Sequence, residues 1–472
     1  MCPLGAPEVS GPENTDWEMQ AMNIVIIGLG SIGKTILRSL SGEGHTLTII
    51  DEDKDLIERL IERYDVFGLV GNGACMDIQQ EANMQDADLM IALTKNDELN
   101  ILACLVAKRL GVKNTIARVR NPDYRDQIAQ MKDDLGISMV VNPEREAANE
   151  IFNLINLPSV SRMEHFAEGK VLLVEVTAKK GCPIIGENLI SLGRKLKSRV
   201  LVCAVQRGEE VVIPSGSFRI QEGDRIHFTA DSRNLGDFLA EVNLIESPYK
   251  HVMVVGGGKI GFYLADSLAK KRFSVKIIEE NRARAETLAE ALPTVTGVCG
   301  NGTRHELLVE EGIEAMDGFV ALTDVDEENI IVSLFANKKG VRKSITRIES
   351  NEMFGLLDEL GIDNTVSPKQ VVAGRIVSYV RALANSRGSN VQTLYQLVND
   401  RVEALEFVAR KRAPFYDKPL KDLVIKKNCL IACIIRGSQV IIPNGMSQIR
   451  LGDSVVVVTT HKNFDDLNDV FE

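Results

Sequence analysis

The sequence predicts an α/β chain made of two Rossmann-like, doubly wound parallel-sheet domains, each followed by a small α+β subdomain. Three observations carry this reading. A glycine turn of the form G-x-G-x-x-G occurs twice, in "GLGSIGKT" from Gly28 and in "GGGKIGFY" from Gly256. Around each turn, short apolar runs alternate with stretches of helical spacing, the pattern of a βαβ series. Nearly everything after residue 22 is also written twice, and such internal repetition fixes architecture before any single motif does.

The repeats run in order along both halves. "MNIVIIGLGSIGKTILRSL" returns as "KHVMVVGGGKIGFYLADSL", "LTIIDED" as "VKIIEEN", and "GLVGNGA" as "GVCGNGT". "IALTKNDELN" returns as "VALTDVDEEN", "NTIARV" as "KSITRI", and "VVIPSGSFRIQEGD" as "VIIPNGMSQIRLGD". The runs "NIVIIG", "TLTIID", "VFGLVG", "DLMIALT" and "NTIARV" read as strands. They are continuously apolar, as strands covered on both faces of a parallel sheet must be. "KVLLVEVTA", "VLVCAVQRGEEVVIP" and "DRIHFTA" alternate instead, with turns at Arg207-Gly208 and Gly223-Asp224. Asn142-Pro143 and Ser367-Pro368 read as an N-cap followed by proline at the first helical position. The helices they open carry apolar faces: Ala147, Ile151, Leu154 and Ile155 in one; Val372, Ile376, Tyr379, Val380 and Leu383 in the other. Such a face suits either a core-facing helix or contact with a second subunit.

The expected boundaries follow. Residues 1–21, rich in Pro, Gly and acid and without period, form a disordered tail. Residues 22–141 and 247–366 form the Rossmann domains, 142–162 and 367–388 the linking helices, and 163–246 and 389–472 the small subdomains. A formal net charge of −11 with scattered Lys and Arg opposes a nucleic-acid groove. No apolar run approaches the ~18 residues needed to span a bilayer. Eight cysteines occur without C-x-x-C or a histidine pair, which argues against structural zinc and fits reduced thiols in a cytosolic protein.

"GLGSIGKT" also fits a P-loop through Gly28, Gly33, Lys34 and Thr35, whose lysine reaches phosphates and whose Ser/Thr holds magnesium. The second copy decides, because Phe262 and Tyr263 replace Lys34 and Thr35 while the three glycines persist. A Rossmann turn needs only those glycines and, about 20 residues on, an acid for the ribose diol. Asp51 and Glu279 supply it. A carboxylate there repels a 2′-phosphate, so NAD(H) is favoured over its 2′-phosphorylated form; ATP, ADP and AMP share the same ribose.

The expected binding residues are then the turns Gly28, Leu29, Gly30, Ser31, Ile32, Gly33 and Gly256, Gly257, Gly258, Lys259, Ile260, Gly261, with the acids Asp51 and Glu279. Thr94, followed by Lys95, and Thr323 end the fourth strands, where hydroxyls either reach ribose and phosphate or cap the strand. Asp97 and Asp326 are expected to cap the next helices. Asn72, Gly73 and Asn301 belong to "GNG", a tight turn near the adenine side. Arg118 and Arg347 end the fifth strands, facing the nucleotide or an acid across an interface. The six histidines share no repeat position and no acid–base pair accompanies the turns. The chain therefore reads as non-enzymatic, with an NAD-dependent oxidoreductase as the alternative.

Taken together, G-x-G-x-x-G, the strand-end acid, "GNG" and "ALT-x-x-DE-x-N" resemble the RCK (KTN) family that regulates potassium channels and transporters. The module with "VIP-x-G" and a following "GD" resembles the RCK C-terminal subdomain. Two such pairs in one chain resemble the regulatory subunits of bacterial Trk potassium uptake systems, over essentially residues 22 to 472. The resemblance implies a homotetramer with eight Rossmann units in a ring. It implies a TrkH-class potassium-translocating membrane subunit above that ring, which places the chain at the inner face of the cell membrane. It also implies that NAD(H) and adenine nucleotides shift the ring's shape, and it puts the linking helices at subunit contacts. Glu279 departs from the aspartate-type acid of the pattern, and the tail has no counterpart.

Overall fold

The computed structural model describes residues 21–472 apart from 158–159, 167–170, 209, 232–234, 245–248, 351–352, 354–356, 358–359, 363, 386–390, 398–400, 410–412, 438, 462–463 and 465. The expected tail lies outside the described residues except at its last position.

In the first half, β1 (Asn23–Ile27), β2 (Thr46–Asp51), β3 (Phe67–Val70), β4 (Leu89–Ala92), β5 (Asn114–Arg118) and β6 (Met139–Val141) form one parallel sheet. Its order is β3-β2-β1-β4-β5-β6, the Rossmann order. The chain reverses its direction of winding between β1 and β4, which leaves a crevice at their carboxyl ends. One face of the sheet packs Ile24, Ile26 and Ile91 against Ile36, Leu37 and Leu40 of the helix Ser31–Leu40. The other packs Val25, Ile27 and Met90 against Ala103 and Ala107 of the helix Asp97–Leu110. This two-sided burial is why the strands read as unbroken apolar runs.

Strands β7 (Val160–Phe166), β8 (Val171–Thr177), β9 (Val200–Arg207), β10 (Glu210–Val212) and β11 (Arg225–Asp231) form an antiparallel sheet in the order β10-β9-β11-β8-β7. The second half repeats both layers. Strands β12 (His251–Val255), β13 (Ser274–Glu279), β14 (Thr296–Cys299), β15 (Gly318–Ala321), β16 (Lys343–Arg347) and β17 (Thr365–Val366) order as β14-β13-β12-β15-β16-β17. Strands β18 (Val391–Leu397), β19 (Val402–Val408), β20 (Cys429–Arg436), β21 (Gln439–Ile441) and β22 (Ser454–Thr459) order as β18-β19-β22-β20-β21.

The "GD" motif of each small sheet is an ion-pair lock. Asp224 accepts from Arg207 Nε at 2.7 Å, from Arg207 Nη2 at 2.8 Å and from the Gln221 amide at 2.8 Å. Asp453 takes the same three bonds from Arg436 and the Arg450 amide. Each lock fastens the turn before the last strand of its sheet, β11 or β22, to the end of the neighbouring β9 or β20. The two small sheets also meet: Val171, Leu173 and Ala204 pack with Ala404, Ala432 and Val456, and Thr229 Oγ1 donates to the Ala432 carbonyl at 2.9 Å.

The linking helices give an answer that neither sequence reading contained. The helix Pro143–Asn156 buries Ala147, Ile151, Leu154 and Ile155 against Val252, Leu264 and Val320 of the second parallel domain. The helix Pro368–Asn385 buries Val372, Ile376 and Val380 against Ile36, Leu40 and Ile91 of the first. The expected subunit contact is thus satisfied within one chain, each half lending its helix to the other. Arg381 reaches Glu43 across this contact, with Nη2 at 2.5 Å from Oε1, and Arg375 pairs with Glu146 between the two helices. Asn142 caps the first helix through the Arg145 amide at 3.0 Å. Ser367 departs from expectation: its Oγ is buried and has no hydrogen-bond partner among the described residues.

Two expectations follow. Ile151→Ala opens a cavity between the halves and should cost about 2–5 kcal/mol in reversible unfolding. The mass by light scattering should be unchanged, because both sides of the contact belong to one chain. Burial alone would raise the Asp224 carboxyl, but Arg207 and the Gln221 amide hold it below the usual carboxylate range. A depressed folded value stabilises above the unfolded carboxylate pKa of about 3.9 and is lost as pH falls through the folded one. Asp224→Asn should therefore lower the melting temperature at neutral pH and shrink its fall on acidification below about pH 4.

Candidate nucleotide-binding crevices

Each crevice is built on a turn that only glycine can make. Gly28 has φ +89°, and a Cβ there would stand 2.7 Å from the Thr94 amide nitrogen, so the turn after β1 lies against the end of β4. A Cβ on Gly33 would stand 2.3 Å from the Gly28 carbonyl oxygen. Gly30 differs, because a Cβ there would meet nothing within 4 Å. Its bareness opens onto the crevice. Gly256, Gly261 and Gly258 repeat the three situations, with φ +106° at Gly256. The helices Ser31–Leu40 and Lys259–Lys270 begin at Gly30 and Gly258 with no side chain capping them. Their first N–H groups are thus available to an anion. Ile32 and Ile260 are buried beneath.

The acids lie beside the turns, at the ends of β2 and β13. Asp51 Oδ2 accepts the Leu29 N–H at 2.7 Å, and Oδ1 accepts the Asp53 N–H at 3.1 Å. Glu279 Oε2 accepts the Gly257 N–H at 2.8 Å, and Oε1 accepts the Asn281 N–H at 2.8 Å. The longer glutamate thus makes the same pair of bonds as the aspartate. It also meets Arg284 Nη1 at 3.3 Å, where the repeat of the first half has Leu56.

In "GNG", Asn72 Oδ1 accepts the Ala74 N–H at 2.9 Å and Asn301 Oδ1 accepts the Thr303 N–H at 2.8 Å, a side-chain turn that orients the loop. A Cβ on Gly73 would stand 2.3 Å from Ile27 Cγ2, so the loop rests on the last residue of β1.

At the ends of the fourth strands the threonines are tethers. Thr94 Oγ1 bonds Asn100 Oδ1 at 2.7 Å, and the Thr94 N–H donates to the same oxygen at 2.9 Å. Asn100 Nδ2 donates to the Arg118 carbonyl at 2.9 Å, stitching the end of β4 to the end of β5. Asn329 repeats this with Thr323 and the Arg347 carbonyl, at 2.8 and 3.1 Å. Sequence reading assigned these asparagines no role, although their recurrence in "DELN" and "DEEN" marked them. The aspartates do not cap helices as expected. Asn96 caps the first through the Leu99 amide at 2.7 Å. Asp97 Oδ2 instead accepts the Arg120 and Asn121 amides, both at 2.8 Å, and Asp326 holds the Glu349 and Ser350 amides. Each aspartate instead ties the start of its helix to the loop after the fifth strand.

Arg118 and Arg347 flank these tethers in different company. Arg347 donates to Asp324 at 2.8 Å, to Glu349 at 3.2 Å and to the Thr323 carbonyl at 3.1 Å. Burial works to lower its pKa, but these carboxylates raise it overall. The Arg118 side chain makes no hydrogen bond or ion pair among the described residues, and its Nε, like that of Arg347, is buried without a hydrogen-bond partner. Burial first, and the Arg120 charge second, lower its pKa against the opposing pull of the Glu144 and Asp97 carboxylates. Lys95 is exposed beside them. The false P-loop residues sit past the turn, in the helix: Lys34 is exposed and Thr35 Oγ1 donates to the Ser31 carbonyl at 2.9 Å.

Comparison with known proteins agrees with this fold. The TrkA-N domain model matches residues 24–143 and 252–368, and the TrkA-C domain model matches residues 173–243 and 404–472. The chain belongs to the TrkA family. It is 32% identical over 447 residues to the Trk system potassium uptake protein TrkA of Vibrio alginolyticus, covering 94% of this chain and 97% of that one. It is 34% identical over 445 residues to TrkA homolog 1 of Methanosarcina mazei, covering 92% and 97%. Among solved structures, the GsuK channel bound to NAD superposes with a TM-score of 0.62 at 18% identity, over 97% of this chain and 79% of that chain. The GsuK RCK domain gives 0.61 at 17%, over 98% and 96%. These two establish the shared fold of tandem RCK units.

The glycines separate folding from room for a ligand. Gly28→Ala should destabilise by more than about 1 kcal/mol, through its left-handed backbone and its clash with β4. Gly30→Ala should stay within about 0.5 kcal/mol of the parent in chemical denaturation.

Proposed function

We propose that this chain is a cytosolic, non-catalytic nucleotide-sensing subunit of a potassium uptake system. It binds NAD(H), and ATP or ADP through the same ribose, and passes the resulting change of shape to a TrkH-class membrane subunit. The observation that carries the reading is the bond from a turn N–H to the strand-end acid, made in both halves. It sets a carboxylate beside an open glycine turn and an uncapped helix N-terminus, so ribose and phosphates meet their partners in one short span.

Membership of the TrkA family supports the potassium role. Among the described residues no helix is long and apolar enough to cross a membrane, which fits contact with the membrane through a partner. The proposed assembly is a homotetramer, its eight crevices arranged in a ring. A nucleotide moves such a ring only if it binds one shape better than another. The crossed linking helices offer the means, since the core beneath each crevice is completed by the other half.

Asp51→Ala should weaken NADH or ADP binding at the first crevice by about 1.5–3 kcal/mol, the worth of charge-assisted hydrogen bonds. Calorimetry on the full chain checks this, and unchanged affinity would remove Asp51 from the ribose site. Lys34→Ala should leave nucleotide binding intact, and magnesium-dependent ATP hydrolysis lost with that lysine would restore the P-loop reading. In cells lacking their own regulator, the parent chain should support growth at low external potassium and the Asp51→Ala, Glu279→Ala pair should not. NADH formation from NAD and an alcohol would instead favour an oxidoreductase.

A further inference from the structure

The acids that end β2 and β13 stand in different electrostatic company. Residues 51–56, "DEDKDL", hold four carboxylates and one lysine, whereas the equivalent residues 279–284, "EENRAR", hold two carboxylates and two arginines. Lys54 and Arg282 each turn along their own helix, toward Glu58 at 3.5 Å and Glu286 at 3.0 Å. The contrast at the acids themselves therefore comes from Leu56 and Arg284. Leu56 packs on the core of the first parallel domain. Arg284 reaches back over Glu279, with Nη1 3.3 Å from Oε2.

The glutamate lies beneath that guanidinium: its side chain is 7% exposed and that of Arg284 52%. Room for it comes from Gly257, where a Cβ would stand 2.9 Å from Glu279 Oε2. The first half has Leu29 in that place. The Gly257 amide, the Asn281 amide and Arg284 together occupy the carboxylate. Asp51 is half-buried and takes only amide donors among the described residues. On the nucleotide-binding reading above, a group at the ribose 2′ position then meets a carboxylate without a counter-cation in the first crevice. In the second it meets a guanidinium. An arginine so placed accommodates a 2′-phosphate. Its planar fork of five donors can hold Glu279 and phosphate oxygens at once.

We propose that the second crevice accepts a 2′-phosphorylated adenosine, that of NADP(H), with Arg284 as the specificity-determining residue, while the first crevice excludes it. The inference rests on the nucleotide-binding reading and deepens it. Rejection of a 2′-phosphate, expected of both acids from sequence, is kept by Asp51 alone.

Hydrogen–deuterium exchange on the full chain reads each crevice separately, through protection of residues 28–33 and 256–261 as NADH or NADPH is titrated. The two ligands differ only in the 2′-phosphate. At the first turn NADH should protect at concentrations at least about tenfold below NADPH, the scale of one charge-assisted contact. At the second turn NADPH should protect at least as readily as NADH. Arg284→Leu, which installs the residue of the first half at an exposed position, should raise the NADH preference of the second turn about tenfold or more. The first turn of the same molecules, still protected by NADH, reports that the variant is folded. The same NADH preference at both turns of the parent chain, or the same indifference at both, overturns the proposal. So does an unchanged NADPH response at the second turn of Arg284→Leu, or a parent chain whose second turn neither ligand protects while NADH protects the first. Protection at neither turn by either ligand defeats the nucleotide-binding reading itself, and the inference with it.

Discussion

The crossed packing of the two linking helices, Pro143–Asn156 on the second parallel domain and Pro368–Asn385 on the first, is the contact on which the remaining architecture depends. Each helix starts at the end of its own sheet and finishes the hydrophobic core of the other. Neither parallel domain keeps its apolar face dry without its partner, so the halves fold as a pair. The contact also sets the small sheets side by side, where Thr229 and Ala432 join them.

The helices Ser31–Leu40 and Lys259–Lys270 have two duties in this arrangement. Their N-termini end the glycine turns, and their flanks receive the other half's linking helix: Ile36 and Leu40 meet Val372 and Ile376, while Leu264 and Leu268 meet Ile151 and Leu154. Each glycine turn therefore leads directly into a helix that packs against the other half. Tyr263, the residue that replaced the P-loop threonine, has its hydroxyl 3.5 Å from the Arg120 carbonyl, in the loop that borders the first crevice. The departure that excluded one nucleotide motif thus lies at the junction between the two sites.

The two repeats share more of their backbone bonding than of their charge. The bonds that hold the crevice open (turn amide to acid, asparagine to strand ends, aspartate to the following loop) are made in both halves. The charged side chains around them are exchanged, Lys95 for Asp324 and Arg120 for Glu349. A scaffold duplicated in this way keeps its backbone geometry while each copy carries its own charges.

The parallel-sheet strands, the duplication and the turn followed by its acid were legible in the sequence, because they rest on local rules. These are continuous apolar runs for a two-sided sheet, glycines where φ is positive or backbones touch, and an acid at a fixed distance from the turn. Helix capping was legible only in part. Asn142 has no competing donor and caps, whereas Asp97 and Asp326 are drawn to the amides of a loop distant in sequence. The destination of the linking helices was not legible, since the spacing of Ile151 and Ile376 specifies an apolar face and says nothing of which surface covers it. Nor could the sequence tell that Arg347 forms ion pairs with Asp324 and Glu349 while Arg118, at the end of the equivalent strand, forms none among the described residues. The sequence by itself determined the pieces and their periodicity, because those follow from neighbours along the chain. Only the tertiary structure decided which half completes which core and which charges meet, because those depend on the surfaces that folding brings together.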